Sequence, residues 1–288
     1  MLASELEHHS NVVPWQIACA EAGAELVPIP VSAAGSVDLA ALDALLDSRT
    51  KVVAVAHVGN ALGTVVPVAR IAARAHAVGA WVVVDGAQAA PHLCVDVRSL
   101  GADFYAVSGH KLFGPMGTGI LYGRAEILET LPPYEGGGEM IREVTFARTE
   151  YAESPHRFEA GTPNVAGIIG LGAAIDYLSS LGMEHVAEHD RDLVSRTTDL
   201  LERIPGIRVA GSGTERAAIV SFRVEGYEPH EVGLLLDQAG IAVRTGDHCA
   251  QPLMRRLGLP GGTCRASFAL YNVREDVDAL ASALSALS

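Results

Sequence analysis

Lys111 follows the apolar run Phe104-Tyr105-Ala106-Val107 and stands in Ser108-Gly109-His110-Lys111-Leu112-Phe113-Gly114-Pro115. The run reads as a buried strand ending in turn residues, and open α/β sheets bind ligands beyond the carboxyl ends of their strands. A partly desolvated lysine there loses its proton more readily and can act as an amine nucleophile or base; taken alone it is an ordinary solvated loop lysine. Asp85 ends the run Trp81 to Val84 and precedes Gly86-Ala87-Gln88-Ala89. By itself it reads as a helix N-cap. The chemical alternative is a carboxylate facing a cationic ring nitrogen, as pyridoxal phosphate needs if it is to act as an electron sink. His8 and His9 occupy a turn, where one imidazole could stack on a planar ring and exchange protons near neutral pH. Asn60 reads equally as a turn residue and as a hydrogen-bond partner for a cofactor hydroxyl or a substrate carboxylate. Cys249 lies among polar turn residues, where Arg244 or His248 would favour its thiolate and Asp247 would oppose it, whereas Cys19 and Cys94 read as buried and inert. Arg265 offers a fork suited to a carboxylate, or to a surface ion pair.

The elements that must position these groups alternate. Strands are expected at Glu25 to Pro30, Lys51 to Ala56, Trp81 to Val84, Phe104 to Val107 and Gly119 to Tyr122, after a strand end within Met1 to Glu7. Helices fall between them at Trp15 to Glu21, at Asp38 to about Leu46 and at Pro67 to Val78. Such alternation predicts a mostly parallel sheet covered on both faces. The pattern lapses from Leu131 to Asn164, which reads as a long surface excursion. Helical periodicity returns from Val165 to Leu201 with a break at Leu181-Gly182. Strands near Val209, Ile219 to Phe222, Ile241 to Val243 and Arg265 to Leu270 follow, with helices at Glu231 to Ala239 and Glu275 to Leu287. The division expected is a large domain over 1–180 and a smaller α+β domain over 181–288.

With 288 residues, 49% of them hydrophobic, the chain can bury a substantial core, and no apolar run reaches the length of a membrane span. A formal charge of −13 speaks against nucleic acid as a partner. The four cysteines are spread without a C-x-x-C pair, which argues against a zinc site or a disulfide framework, while the lack of a membrane-length run and of a charged-then-apolar signal peptide makes a cytoplasmic address the expectation.

The runs ELEHHSNVVPWQ, HVGNALGT, VVVDGAQA, DFYAVSGHKLFGP, RFEAGTPN, AVRTGDHCAQPLM and CRASFALYN, in this order, resemble the SufS/Csd-type (group II) cysteine desulfurases of the class V aminotransferase family. The resemblance implies a fold-type I pyridoxal-phosphate transferase with a mostly parallel large domain and a smaller α+β C-terminal domain. It implies that Lys111 carries the cofactor as a Schiff base, Asp85 pairs with the pyridine nitrogen, His8 stacks on the ring and Gln88 contacts the ring hydroxyl. Ser108 and His110 would hold the phosphate, with Thr162 from the other subunit of a homodimer. Asn60 and Arg265 would bind the substrate carboxylate, and Cys249, with Arg244 nearby, would be the sulfur-accepting nucleophile.

The reaction so implied converts L-cysteine to L-alanine and leaves a persulfide on Cys249 for a sulfur-acceptor protein that serves iron–sulfur cluster assembly. Selenocysteine is a plausible second substrate. The alternatives are a selenocysteine lyase, an epimerase or a transaminase of the same class, or a non-catalytic remnant that only folds and binds. Asp247 stands where many relatives have histidine. Relatives also carry a long segment ahead of the point where this sequence begins, including a Thr-Thr helix start that binds the cofactor phosphate. The chain is therefore expected to be truncated or to have a misassigned start, with weakened cofactor binding and exposed apolar faces.

Overall fold

The alternating elements from Leu2 to Gly123 form one sheet. Its strands are β1 (Leu2–Ser4), β2 (Val27–Ile29), β3 (Val52–Ala56), β4 (Trp81–Asp85), β5 (Phe104–Ser108) and β6 (Gly119–Gly123), in the order β2-β1-β3-β4-β5-β6. The computed structural model describes residues 1–211 and 215–287. All pairings in this sheet are parallel except β5 with β6. Val53, Val55, Val82 and Val84 are wholly buried, as unbroken apolar runs require when both faces of a sheet are covered. The connections are α1 (Val13–Ala22), α2 (Leu39–Leu45), α3 (Val68–Ala77) and α4 (Val97–Leu100). Asp38 starts α2 by accepting the amide hydrogens of Ala40 and Ala41, both at 3.0 Å. Helix α3 buries Val68, Ile71, Ala72 and Ala75, one face at helical spacing.

Beyond α5 (Ala125–Leu128), the expected surface excursion contains a two-stranded ribbon of β7 (Ile141–Val144) and β8 (Thr149–Tyr151). Its residues are nearly all exposed, so no apolar alternation announced it. Helices α6 (Val165–Leu181) and α7 (Met183–Leu201) meet at Gly182. A second sheet follows, built from β9 (Ile207–Val209), β10 (Ile219–Val224), β11 (Arg244–Gly246) and β12 (Thr263–Ser267), with α8 (Pro229–Gln238), α9 (Gln251–Arg256) and α10 (Arg274–Ser285). Its order is β11-β12-β10-β9, all antiparallel. It has its own core of Leu193, Leu201, Phe222, Leu236 and Leu284.

Two strand expectations shift. Ile241 and Val243 pack against this second core rather than pair, and pairing begins at Arg244, whose register partner is Arg265. The last strand runs over Thr263–Ser267 and not on to Leu270. Cys94 is exposed, contrary to its reading as a buried residue, while Cys19 is buried. No single helix is long and apolar enough to cross a membrane among the described residues.

The two sheets are joined closely. Gly63, at φ 74°, accepts the Ala217 amide hydrogen at 2.9 Å, and a Cβ there would lie 2.8 Å from the Ile219 carbonyl oxygen. Only glycine allows both that backbone conformation and that approach. Ser221 donates its hydroxyl to the Ala61 carbonyl, and His92 Nδ1 meets Asp190 Oδ2 at 2.7 Å across the buried contact with α7.

Candidate active site

Four parallel strands end along the same edge, and the chain leaves each of them in a polar turn. After β1 come Glu5 to Asn11, after β3 His57 to Asn60, after β4 Gly86 to Gln88, and after β5 Gly109 to Lys111. The neighbouring order β1-β3-β4-β5 therefore delivers His8, Asn60, Asp85, Gln88, Ser108, His110 and Lys111 to one cleft of about 470 Å³. Ser10, Asn11 and Ala87 also line it, and Arg244 and Arg265 reach it from the second sheet. Cys249 is not among the lining residues, but Arg244 Nη2 lies 3.3 Å from its Sγ. Thr162 is exposed in the loop before α6 and does not line the cleft within this chain.

Each side chain is seated by a local cause. Asp85 Oδ1 accepts the Ala87 amide hydrogen at 2.9 Å, so the carboxylate closes a turn and no helix follows it. Directly after it, a Cβ on Gly86 would fall 1.9 Å from the Tyr105 ring. The bare glycine lets that ring pass against the turn and bring its hydroxyl within 3.0 Å of His57 Nδ1. His8 Nδ1 accepts the Ser10 amide hydrogen at 3.1 Å, which leaves the ring proton on Nε2. Beneath this turn, the wholly buried Glu7 accepts from Ser4 Oγ, from Asn11 Nδ2 at 2.6 Å and from the Ala56 amide at 2.9 Å. The sequence reading missed Glu7; a carboxylate directly before the two histidines was the only available signal.

The electrostatics favour proton exchange. Burial lowers the pKa of Lys111, and Arg265 and Arg244 add to this against the opposing pull of Asp85. Burial and then the Lys111 charge hold His8 below the usual imidazole range. Burial raises Glu7 to about 7 despite its three donors. His248 is lowered to about 4 by burial first and then by Arg265 and Arg244.

Arg244 and Arg265 are register partners on β11 and β12. Like charges directly opposite each other on a sheet repel, so the pair calls for an anion between or beside them. Burial works against the charge on Arg265, yet a guanidinium stays protonated, and its Nε is buried without a partner. Arg265 Nη1 donates to the Asn60 carbonyl at 2.8 Å, while Asn60 Oδ1 is also buried and unpartnered. These orphaned groups at the cleft suit a carboxylate-bearing ligand that also offers a donor. An amine next to a carboxylate and an imidazole fits a carbonyl-bearing cofactor with a basic ring nitrogen.

The family model "Aminotransferase class-V" matches residues 1–280. The chain belongs to this family. Curated relatives include a "Cysteine desulfurase" of Dickeya dadantii, 50% identical over 285 residues that cover 99% of this chain and 69% of the relative. A "Probable cysteine desulfurase" of Xylella fastidiosa is 46% identical over 99% of this chain and 68% of its own length. Among solved structures, the Escherichia coli cysteine desulfurase CsdA in an S-sulfonic acid form superposes with a TM-score of 0.95 at 41% identity, covering 99% of this chain and 71% of that one. An apo cysteine desulfurase from Thermococcus onnurineus gives 0.95 at 40% identity, covering 99% of this chain and 72% of that one. The fold is accordingly the α/β fold of these desulfurases, and the chain spans about 70% of the length of such relatives.

Proposed function

We propose that this class V family member is a cysteine desulfurase, which uses pyridoxal 5′-phosphate to convert L-cysteine to L-alanine and carries the released sulfur as a persulfide on Cys249. The observation that carries the reading is the convergence of Lys111, Asp85 and His8 in one cleft, with the Cys249 thiol beside Arg244 at its margin. The residues fit the cofactor. Lys111 would anchor it covalently, Asp85 would face the ring nitrogen, His8 the ring face and Gln88 the ring hydroxyl. Ser108 and His110 would meet the phosphate, with Thr162 supplied by a second copy in a homodimer. When bound, pyridoxal phosphate supplies an electron sink that stabilises negative charge at the substrate α-carbon.

The chain's own groups do the rest. Arg265, with its unpartnered Nε, and Asn60 orient the substrate carboxylate. Lys111, whose amine is more easily deprotonated than usual, removes and returns protons at the substrate carbons. His8 is neutral more readily than a free imidazole and can relay a proton at Nε2. The Cys249 thiolate attacks the substrate sulfur: a carbon–sulfur bond breaks, a sulfur–sulfur bond forms, and the carbon product leaves as alanine. A transaminase or epimerase of the same family would have no use for a thiol at this margin. Exposed apolar side chains on β6 and α6, including Leu121, Ile168 and Ile169, support self-association. The persulfide would pass to a sulfur-acceptor protein in the cytoplasm, for iron–sulfur cluster assembly.

The test is alanine release from L-cysteine by the chain loaded with pyridoxal phosphate. Cys249→Ala is expected to keep the visible absorbance of bound cofactor and to lose at least roughly 100-fold in alanine release, because the nucleophile is gone. Lys111→Ala is expected to lose both. Undiminished alanine release by Cys249→Ala would remove the thiol from the reaction.

A further inference from the structure

His9 is left over by this scheme. His8 lines the cleft, but His9 turns to the segment that carries the thiol. That segment is held in an unfavourable conformation: His248 and Cys249 are consecutive non-glycine residues at φ 56° and 60°. Left-handed backbone at two successive side-chain-bearing positions persists only where neighbouring groups over-determine it. Besides the His248 Nε2 contact with Thr263 Oγ1 at 2.8 Å and Arg244 Nη2 at 3.3 Å from Cys249 Sγ, three groups hold the backbone here. Asp247 Oδ1 accepts the Cys249 amide hydrogen at 2.8 Å, and Asn60 Nδ2 donates to the His248 carbonyl at 2.6 Å. The third is His9, which bonds on both sides of the thiol: its amide donates to the Cys249 carbonyl at 2.8 Å, and its Nε2 accepts the Gln251 amide hydrogen at 3.1 Å. The first of these bonds needs only backbone. The second needs a side-chain acceptor at the Nε2 position, which histidine provides when its proton sits on Nδ1.

We infer that His9 is a positioning residue that latches the Cys249 segment to the His8 turn, so that the group facing the ring and the group receiving sulfur are fixed relative to each other. The inference rests on the desulfurase reading for its kinetic consequence, but the latch itself does not depend on it. Two adjacent histidines thereby divide the work, one side chain turned to the cleft and the other to the thiol segment. Without the Nε2 bond, the left-handed residues lose one of the contacts that hold them, and the sulfur leaves its place beside Arg244.

The test compares His9→Ala with His9→Gln, because the glutamine amide oxygen can reach roughly where Nε2 stands and accept the same amide hydrogen. In the chain loaded with pyridoxal phosphate, His9→Ala is expected to lower kcat for alanine release roughly tenfold, the effect of losing one positioning hydrogen bond, with KM and cofactor absorbance unchanged. His9→Gln is expected to recover most of that loss. A kcat within about twofold of the parent for His9→Ala, an equal loss in His9→Gln, or a parallel loss of cofactor binding would each overturn the latch. A second readout needs no turnover: iodoacetamide labelling of Cys249 in the cofactor-free chain, followed on its peptide by mass spectrometry. Labelling is expected to quicken about fivefold in His9→Ala and to return toward the parent rate in His9→Gln, on the same hydrogen-bond scale. A parent chain that releases no alanine but shows this labelling pattern would sink the desulfurase reading and keep the latch; unchanged labelling would sink the latch alone.

Discussion

Glu7 shows how a single side chain beneath the cleft is balanced. Its three donors favour the carboxylate, but removal from water outweighs them and brings the group to about 7 from a usual 4.5. With the folded value above the unfolded one, the folded state holds the extra proton between those pH values. The stability this group contributes is then fully present below about 4.5 and is lost as pH rises through 7. His57 and His248, both lowered to about 4 by burial, have the opposite sign and cost stability as pH falls below the usual imidazole range. Comparing the parent with Glu7→Gln cancels those contributions. Urea denaturation between pH 5 and 8 is expected to show the parent losing stability relative to Glu7→Gln, by on the order of 3 kcal/mol across the window. Parallel profiles for the two proteins would mean that Glu7 does not titrate there. Lys111 and Asp85 stood out in the sequence because each stands at the end of an apolar run that gives way to turn residues, and Cys249 because its neighbours are polar turn formers. Glu7 was not, because nothing in its neighbours says that Asn11, Ser4 and the Ala56 amide will close around it.

At the scale of elements, the site depends on strands that end in register and on turns tight enough to keep their side chains at the edge. The β4 turn is the strictest, since Gly86 lies against the Tyr105 ring of β5. Gly86→Ala is expected to cost about 1–3 kcal/mol or more by overpacking, and to shift Asp85 with it. Thermal denaturation would measure the cost, and Gly86→Ala combined with Tyr105→Ala is expected to lose less than the two single changes summed. Strict additivity would show that the ring and the glycine do not meet. The first sheet was readable because its strands are continuous apolar runs and its helices have one apolar face. The β7–β8 ribbon was not, because its residues are exposed and owe their pairing to each other. The shift of the third small-domain strand from Ile241–Val243 to Arg244–Gly246 has a similar origin: apolarity marked residues that pack on the second core, while pairing was decided by the register with β12.

Across the whole molecule, the groups proposed to hold the cofactor and the proposed sulfur acceptor come from different parts of the fold. Lys111, Asp85 and His8 stand at the edge of the mostly parallel sheet, whereas Arg244 and Arg265 lie on the antiparallel one and Cys249 in the turn that follows its strand β11. The close approach at Gly63, the Ser221–Ala61 bond and the His92–Asp190 contact hold the two in one arrangement. The sequence contained the residues on both sides but not this juxtaposition, since no local pattern reports which backbones will meet. The resemblance to known desulfurases, carried by motifs spread over the chain, filled that gap, and the class V match over residues 1–280 agrees with it. In the proposed reaction, sulfur passes from a substrate bound in the cleft between the two sheets to the Cys249 thiol at its margin. This transfer is tested most directly by mixing the full chain, loaded with pyridoxal phosphate, with one equivalent of L-cysteine and weighing the Cys249 peptide by mass spectrometry under non-reducing conditions. This peptide is expected to gain the mass of one sulfur atom, in step with the alanine released and only when Lys111 is present. Alanine formed with no sulfur on Cys249, or sulfur found on Cys94 instead, would contradict that transfer.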